Sequence, residues 1–357
     1  MMKDIIYDVA IIGAGPAGTV FARELAMRQP DTRILLIDGQ TRQNAKPCGG
    51  LLSPDAQKVL AEFELTLPNA VLADPQIFCV HTMDLGTRIT RLYQRHYLNM
   101  DRPAFDSWLL SLVPKQVTVM HGRCTNIAKA GHFSLTVRTK DEEMHLAAHA
   151  LVGADGASSI VRRQFFGRQP YKYLSVQQWF SCHDPAIPAY ACIFDKATSD
   201  SCSWLICKDG CTVFGGAFAK TGGREAFEAQ KARVEQYLGI SFGQPIKTEA
   251  CQVCSPRSMR DFITGKQGVY LLGEAAGLIS ASSFEGISSA MLSGRMLAMA
   301  FVQKDPKRIA KAYRKASRRL RFKLYTKTFK RKVLCSPLLR KLIMKSGIQS
   351  VKIYSRN

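Results

Sequence analysis

Gly13, Gly15 and Gly18 are spaced as GxGxxG, and Asp38 follows twenty residues after the last of them. Each glycine has a separate task in such a set. The first permits a tight turn, the second lets the backbone approach a pyrophosphate, and the third lets a helix pack closely on a sheet. The amides at the helix N-terminus then face the phosphates. Asp38 is placed to accept hydrogen bonds from an adenosine ribose. The chemistry is dinucleotide binding, and this motif alone does not separate FAD from NAD.

Two later acids extend the pattern. Asp155 closes Leu151-Val152-Gly153-Ala154-Asp155-Gly156, and Glu274 lies in GVYLLGEAAG from Gly268 to Gly277. Cysteines offer a competing chemistry: Cys251 and Cys254 make CxxC, with Cys202, Cys207 and Cys211 in the same region. Zinc and iron–sulfur sites use such spacing. A strand, however, sets residues three apart on opposite faces, no second CxxC follows, and the seven histidines show no ligand spacing, so no metal is expected. No G-x-S-x-G elbow or P-loop supports hydrolysis or phosphoryl transfer.

These residues need elements to hold them. Residues 7–12 read as a buried parallel strand, 17–27 as a helix and 33–38 as a second strand, a βαβ unit of the usual size. Ser53 before Pro54 predicts a helix start, with a short helix over 56–63. Alternation over 77–98 predicts a second sheet, 102–112 a helix, and 117–120, 133–139, 145–152 and 269–272 further strands. Short strands rich in Trp, Phe, Ile and Cys fill 175–218. An amphipathic helix follows over 227–238, and 286–299 is helical. Pro306 opens a long helix with Ile309, Tyr313, Ala316, Leu320 and Leu324 on one face, which Pro337 breaks. The mixture predicts a parallel nucleotide-binding sheet interrupted by an antiparallel lobe.

The chain of 357 residues is 46% apolar, enough for a large core, and excludes disorder or a small disulfide scaffold. Eleven scattered cysteines point to reduced thiols. The formal charge of +22 is unevenly distributed: residues 304–357 carry 19 basic side chains against Asp305, whereas the other 303 residues carry only +4. Such a segment is drawn to polyanions. No DNA or RNA module accompanies it, and Leu, Ile, Phe and Tyr interleave with the cations, which favours anionic lipid over nucleic acid. Met1, Met2, Lys3 and Asp4 lead into no signal-peptide pattern, and no apolar stretch is long enough to span a bilayer. A cytoplasmic chain, peripheral on the inner face of the membrane, is expected.

Taken together, the GxGxxG unit, the Asp155 segment and the Glu274 segment resemble the three fingerprints of FAD enzymes with the hydroxylase-like fold. Lys46-Pro47-Cys48-Gly49-Gly50-Leu51-Leu52-Ser53-Pro54 and Asp101-Arg102-Pro103-Ala104-Phe105-Asp106-Ser107-Trp108-Leu109 are similar to the PCGG-type loop and R-x-x-F-D-x-x-L helix of the geranylgeranyl reductase family. Within that family the whole chain resembles bacterial oxidoreductases associated with colicin M resistance. The resemblance implies an α/β fold in three parts. A Rossmann-type FAD-binding domain is built from 1–75, 100–170 and 265–303. An antiparallel substrate lobe is built from 76–99 and 171–264, and a basic helical tail covers 304–357.

The resemblance also implies FAD contacts from Gly13, Gly15, Ala17, Gly18, Asp38, Cys48, Gly49, Gly50, Arg102, Cys124, Asp155, Gly156, Gly273, Glu274, Gly286 and Ile287. Glu274 stands where the family has Asp. Gly49 and Gly50 would let backbone approach the isoalloxazine. Cys48 would be a proton donor or gate beside it, or simply a small buried thiol, and the helix beginning at Gly286 would direct its dipole at the flavin. Cys202-Ser203-Trp204-Leu205-Ile206-Cys207-Lys208 keeps the Trp and Lys of the family's lipid-cavity signature but replaces its Tyr and Pro, leaving Trp204 as either a substrate contact or a core residue. Trp179, Phe180 and Trp204 would surround a lipid chain. The implied reaction is reduction of C=C bonds in a prenyl or other hydrophobic lipid, with NAD(P)H or a small redox protein as donor. The alternatives are a monooxygenase of aromatics or polyketides and a non-catalytic lipid-carrier-binding flavoprotein.

Overall fold

The computed structural model describes residues 6–39, 47–181 and 184–351; Lys46 and the first residues of the chain lie outside that set. Strand β1 (Ile6–Ile12), helix α1 (Pro16–Arg28) and strand β2 (Ile34–Asp38) form the expected βαβ unit. Near-continuous burial of both strands suits a parallel sheet covered on both faces. After β3 (Leu51–Leu52) and α2 (Pro54–Glu62), the chain leaves through β4 (Ile77–Asp84) and β5 (Ile89–Asn99) and returns with α3 (Arg102–Ser111). Asp101 caps α3 by accepting from the Ala104 amide at 2.7 Å.

Next come β6 (Thr118–His121), β7 (Arg123–Ala130), β8 (His132–Arg138), β9 (Glu143–Gly153) and α4 (Ile160–Phe166). The second lobe is completed by β10 (Tyr171–Phe180), β11 (Tyr190–Phe194), β12 (Cys202–Lys208), β13 (Cys211–Phe218), α5 (Gly223–Leu238) and β14 (Lys247–Ser255). The chain then re-enters the first sheet through β15 (Gly265–Lys266) and β16 (Val269–Leu271), and α6 (Ile287–Phe301) packs beside α1.

Two eight-stranded sheets result. The first runs β15-β16-β9-β1-β2-β6, with the β7–β8 hairpin continuing antiparallel from β9. Its centre is parallel, pairing Ile12 with Ile37 on one side and Gly153 on the other. The second runs β14-β10-β13-β12-β11-β4-β5-β3 and is antiparallel except where β11 meets β4. Strand β7 was not anticipated, because its residues are mostly exposed and lack a clean alternation.

The C-terminal segment departs most from expectation. The continuous helix predicted after Pro306 is broken at Ser317, giving α7 (Pro306–Ala316) and α8 (Arg318–Cys335), and Pro337 opens α9 (Pro337–Ser346). All three pack on the body. Tyr313 is fully buried and donates to the Leu271 carbonyl at 3.0 Å, while Leu320 and Leu324 join the core on the other face of the parallel sheet. Arg331 bridges Asp200 at 2.7 Å, and Arg340 bridges Asp84 at 2.8 Å with both side chains almost completely buried. A buried ion pair of this kind is strongly destabilising to break from one side. No helix among the described residues is long and apolar enough to cross a membrane.

Candidate functional site

The glycine turn between β1 and α1 has the geometry its spacing predicts. Gly13 adopts φ 106°, and a Cβ there would lie 2.5 Å from the Ala154 carbonyl oxygen; one on Gly18 would lie 2.0 Å from the Gly13 oxygen. Gly15 differs: a Cβ on it would meet nothing within 4 Å. It is also the N-cap of α1, with no side-chain cap and no acid in the first turn. The positive end of the helix therefore opens onto free space, the arrangement that receives an anion.

That space belongs to a cavity of ≈ 1590 Å³ running from the parallel sheet to the antiparallel one. Gly13, Gly15, Ala17, Asp155, Gly156, Gly273 and Glu274 line its first end. One Asp155 oxygen accepts from the Ile160 amide at 2.7 Å, and the other is buried with no partner among the described residues. Burial pushes the Asp155 carboxyl up from its ordinary value. Glu274 reaches across to the second sheet, accepting from the Cys254 amide at 2.8 Å. Its extra methylene thus ties two sheets together.

Asp38 ends β2, with its carboxylate 3.5 Å from His121 Nδ1; the cavity wall there is formed by its neighbours Ile37 and Gly39. Cys124 lines the cavity from β7, and burial, with Asp155 adding to it, raises its thiol to about 12.

The loop 47–50 forms the floor between the ends. Cys48 Sγ accepts from the Gly50 amide at 3.4 Å and interacts electrostatically with the Arg102 guanidinium, which pairs with Asp106 at 3.0 Å. Although burial works against the cation, Asp106 and Cys48 hold Arg102 above its ordinary pKa. Arg102 lines the cavity and is not a surface residue. Gly49 and Gly50 line the cavity with their backbone, while their missing side chains would point at protein. A Cβ on Gly49 would lie 2.7 Å from Ile206 Cδ1, and one on Gly50 would lie 2.3 Å from both Lys208 Nζ and the Met100 oxygen. Lys208 is buried and donates to the Gly50 and Met100 carbonyls at 3.2 and 2.5 Å. Burial pulls it down to about 8. It clamps the loop and is not a cavity residue.

Trp204 does line the cavity, and its buried Nε1–H has no partner among the described residues. Gly215 leaves room for the indole, since a Cβ there would lie 2.5 Å from Nε1. Trp179 and Phe180 do not line it. Trp179 donates to Glu249 at 2.9 Å, and Phe180 stacks on Phe242 in the core beneath α5, on the opposite face of the sheet. The recess is walled instead by Val80, Tyr97, Tyr190, Phe194 and Ile206. Tyr97 donates to Glu285 at 2.9 Å, just before the uncapped N-terminus of α6 at Gly286 and Ile287.

Lys327, Lys330, Leu334, Arg340, Ile343 and Met344 close the far end. The C-terminal helices, expected as a basic tail drawn to anionic lipid, thus also contribute to the cavity wall. The spacing of Lys327, Lys330 and Leu334 on one helical face was the available signal. Cys251 lines the cavity and Cys254 is buried, three residues apart on β14. No His, Cys, Asp and Glu cluster able to hold a metal occurs among the described residues.

Comparison with known proteins agrees with this architecture. The family described as Lycopene cyclase protein matches residues 8–195. Protein CbrA of Escherichia coli O6:H1 is 44% identical over 352 residues, covering 97% of this chain and 94% of that protein. Protein CbrA of Shigella sonnei is also 44% identical, with 98% of it covered. Among solved structures, a geranylgeranyl bacteriochlorophyll reductase-like protein from Thermoplasma acidophilum superposes with a TM-score of 0.78 at 18% identity, covering 96% of this chain and 91% of that one. The p-nitrophenol 4-monooxygenase PnpA from Pseudomonas putida DLL-E4 follows with a TM-score of 0.74 at 14% identity, covering 96% and 93%. These two share the fold of the described chain, and identity sustained from end to end shows that it belongs to the CbrA family.

Proposed function

We propose that the protein is an FAD-dependent oxidoreductase that reduces C=C bonds of a prenyl or other hydrophobic lipid. The observation that carries this reading is one continuous cavity, which joins an open dinucleotide turn at Gly15 to an aromatic and aliphatic recess beside Trp204. Its volume exceeds the usual range of about 300–1,000 Å³ for one ligand, leaving space for cofactor and substrate together. The residues present fit FAD: Gly15 and the α1 amides would hold the diphosphate, and the orphaned Asp155 oxygen and Glu274 would face the ribityl side. FAD bound there, once reduced by NAD(P)H or a small redox protein, supplies a hydride. The protein has to supply the matching proton and a dry wall. Cys48, held between the Gly50 amide and Arg102, is placed for the proton; Trp204, Tyr190 and Phe194 exclude water. The α6 N-terminus would favour negative charge on the ring.

The C-terminal helices support a location at an anionic membrane. Leu338 and Leu342 on α9 are 68% and 59% exposed beside Lys341 and Lys345, while Ile343 and Met344 of the same helix line the cavity. Docking through α9 would set the cavity mouth at the lipid surface. The test is mass spectrometry of lipids from cells with and without the protein, followed by anaerobic turnover of the purified protein. Lipid pairs differing by two hydrogens support the reading. Strictly oxygen-dependent turnover that places oxygen from O2 in the product would instead favour a monooxygenase.

A further inference from the structure

The far end of the cavity gathers more cations than carboxylates. Arg95 on β5 and Lys327 and Lys330 on α8 all line it. Arg95 and Lys327 both act on Lys330, and together with Lys323 they also act on Asp55, so the four form one cluster. Two carboxylates stand nearby, and both have partners. Asp55 lies 2.9 Å from Lys323 and 3.7 Å from Lys327, and Glu285 accepts from Tyr97. Arg95 and Lys330 have no close ion pair among the described residues, although the Glu285 carboxylate acts on Lys330; four cations against two carboxylates leave the cluster a net charge of +2. Arg340 is also at this wall, but Asp84 and the Leu334 carbonyl take up its donors.

Arg95 and Lys330 are exposed and Lys327 is half-buried, so the cations stand at the rim of the cavity. Here they border an apolar wall of Tyr190, Phe194, Leu334, Ile343 and Met344. Guanidinium and ammonium groups gathered at the edge of an apolar trough match a dianionic head attached to a hydrocarbon chain. We propose that Arg95, Lys327 and Lys330 form a subsite for the phosphate-type head of an amphiphile whose chain lies along that wall. The subsite rests on the reading of the cavity as a site for a hydrophobic substrate and names the class of that substrate.

The experiment is a calorimetric titration of the flavin-loaded protein with decyl phosphate, decanol and inorganic phosphate. Decyl phosphate is saturated, so binding is measured independently of any reduction. The wild type is expected to bind it at least about tenfold more tightly than decanol, and more tightly than inorganic phosphate. Lys327→Ala with Lys330→Ala, and Arg95→Ala separately, should each remove most of that preference while leaving decanol affinity unchanged. Lys330→Gln provides the same readout at an exposed position if the double variant folds poorly.

Equal affinities for phosphate and alcohol would overturn the subsite. So would equal affinities for decyl phosphate and inorganic phosphate, or variants that weaken both amphiphiles alike. Variants that lose only binding to phosphatidylglycerol vesicles would assign the cations to a membrane surface instead. Head-selective binding with no reduction of any unsaturated lipid would leave the subsite standing and remove the reductase reading.

Discussion

The two ends of the cavity are built by opposite means. At the dinucleotide end the backbone makes the surface: the φ of Gly13, the bare Cα of Gly15 and the close contact at Gly18 leave a cradle of amides at the start of α1. At the far end side chains make it, brought from β5, α8 and α9 and pinned by distant ion pairs such as Arg340–Asp84. A backbone cradle is local in sequence and tolerates almost no substitution. A side-chain wall is assembled from remote positions and can change its specificity without changing the fold.

Removing the wall tests this contrast most severely. Truncation before Lys304 deletes Tyr313, Leu320, Leu324 and Arg340. Arg340→Ala alone, which leaves Asp84 buried without its cation, is expected to cost about 3–5 kcal/mol, and truncation adds the exposure of the core that Tyr313, Leu320 and Leu324 cover. The expected result is an aggregating or poorly folded chain, read by yield and thermal melting. A stable, yellow truncated body would show that the two ends are separable. Next in size is Gly15→Val, which places a branched side chain in the open space before α1. The fold should persist, with flavin affinity reduced at least about a hundredfold, or about 2.7 kcal/mol, measured by absorbance after gel filtration. Retention of flavin would mean the cradle holds something else.

The smallest effect concerns the clamp between the ends. Lys208 is depressed to about 8 in the folded protein by burial. Below pH 8 both folded and unfolded chains are protonated, and the burial penalty is fully present. Between about 8 and 10.5 the unfolded chain keeps a proton that the folded one releases, so this residue's contribution to stability rises with pH. Subtracting a Lys208→Met melting series from the wild type should reveal that rise and cancel other groups titrating in the range. A flat difference would place the Lys208 ammonium in contact with water.

Legibility follows the same division. The βαβ unit and the acids after β9 and β16 could be placed because period, turn chemistry and glycine sterics act over a few residues. Trp179 and Phe180 do not share one recess, because successive residues of β10 point to opposite faces of the sheet, Phe180 into the core beneath α5 and Trp179 toward Glu249. Gly49 and Gly50 were located correctly as a constrained loop, yet the groups that constrain them, Ile206 and Lys208, come from β12. The C-terminal charge was visible as a total. Its partners Asp55, Asp84 and Asp200 were invisible because each lies more than a hundred residues upstream.

The order of the strands also sets a schedule for biosynthesis. Strand β1 sits between β2 and β9, and β9 pairs with β16, so the central sheet cannot close until Leu271 has been made. The last wall arrives with α9, which ends at Ser346. At roughly 5–20 residues per second, about 20–70 s separate the first strand from the last helix. Throughout that interval the far end of the cavity lacks the side chains that α8 and α9 bring to it.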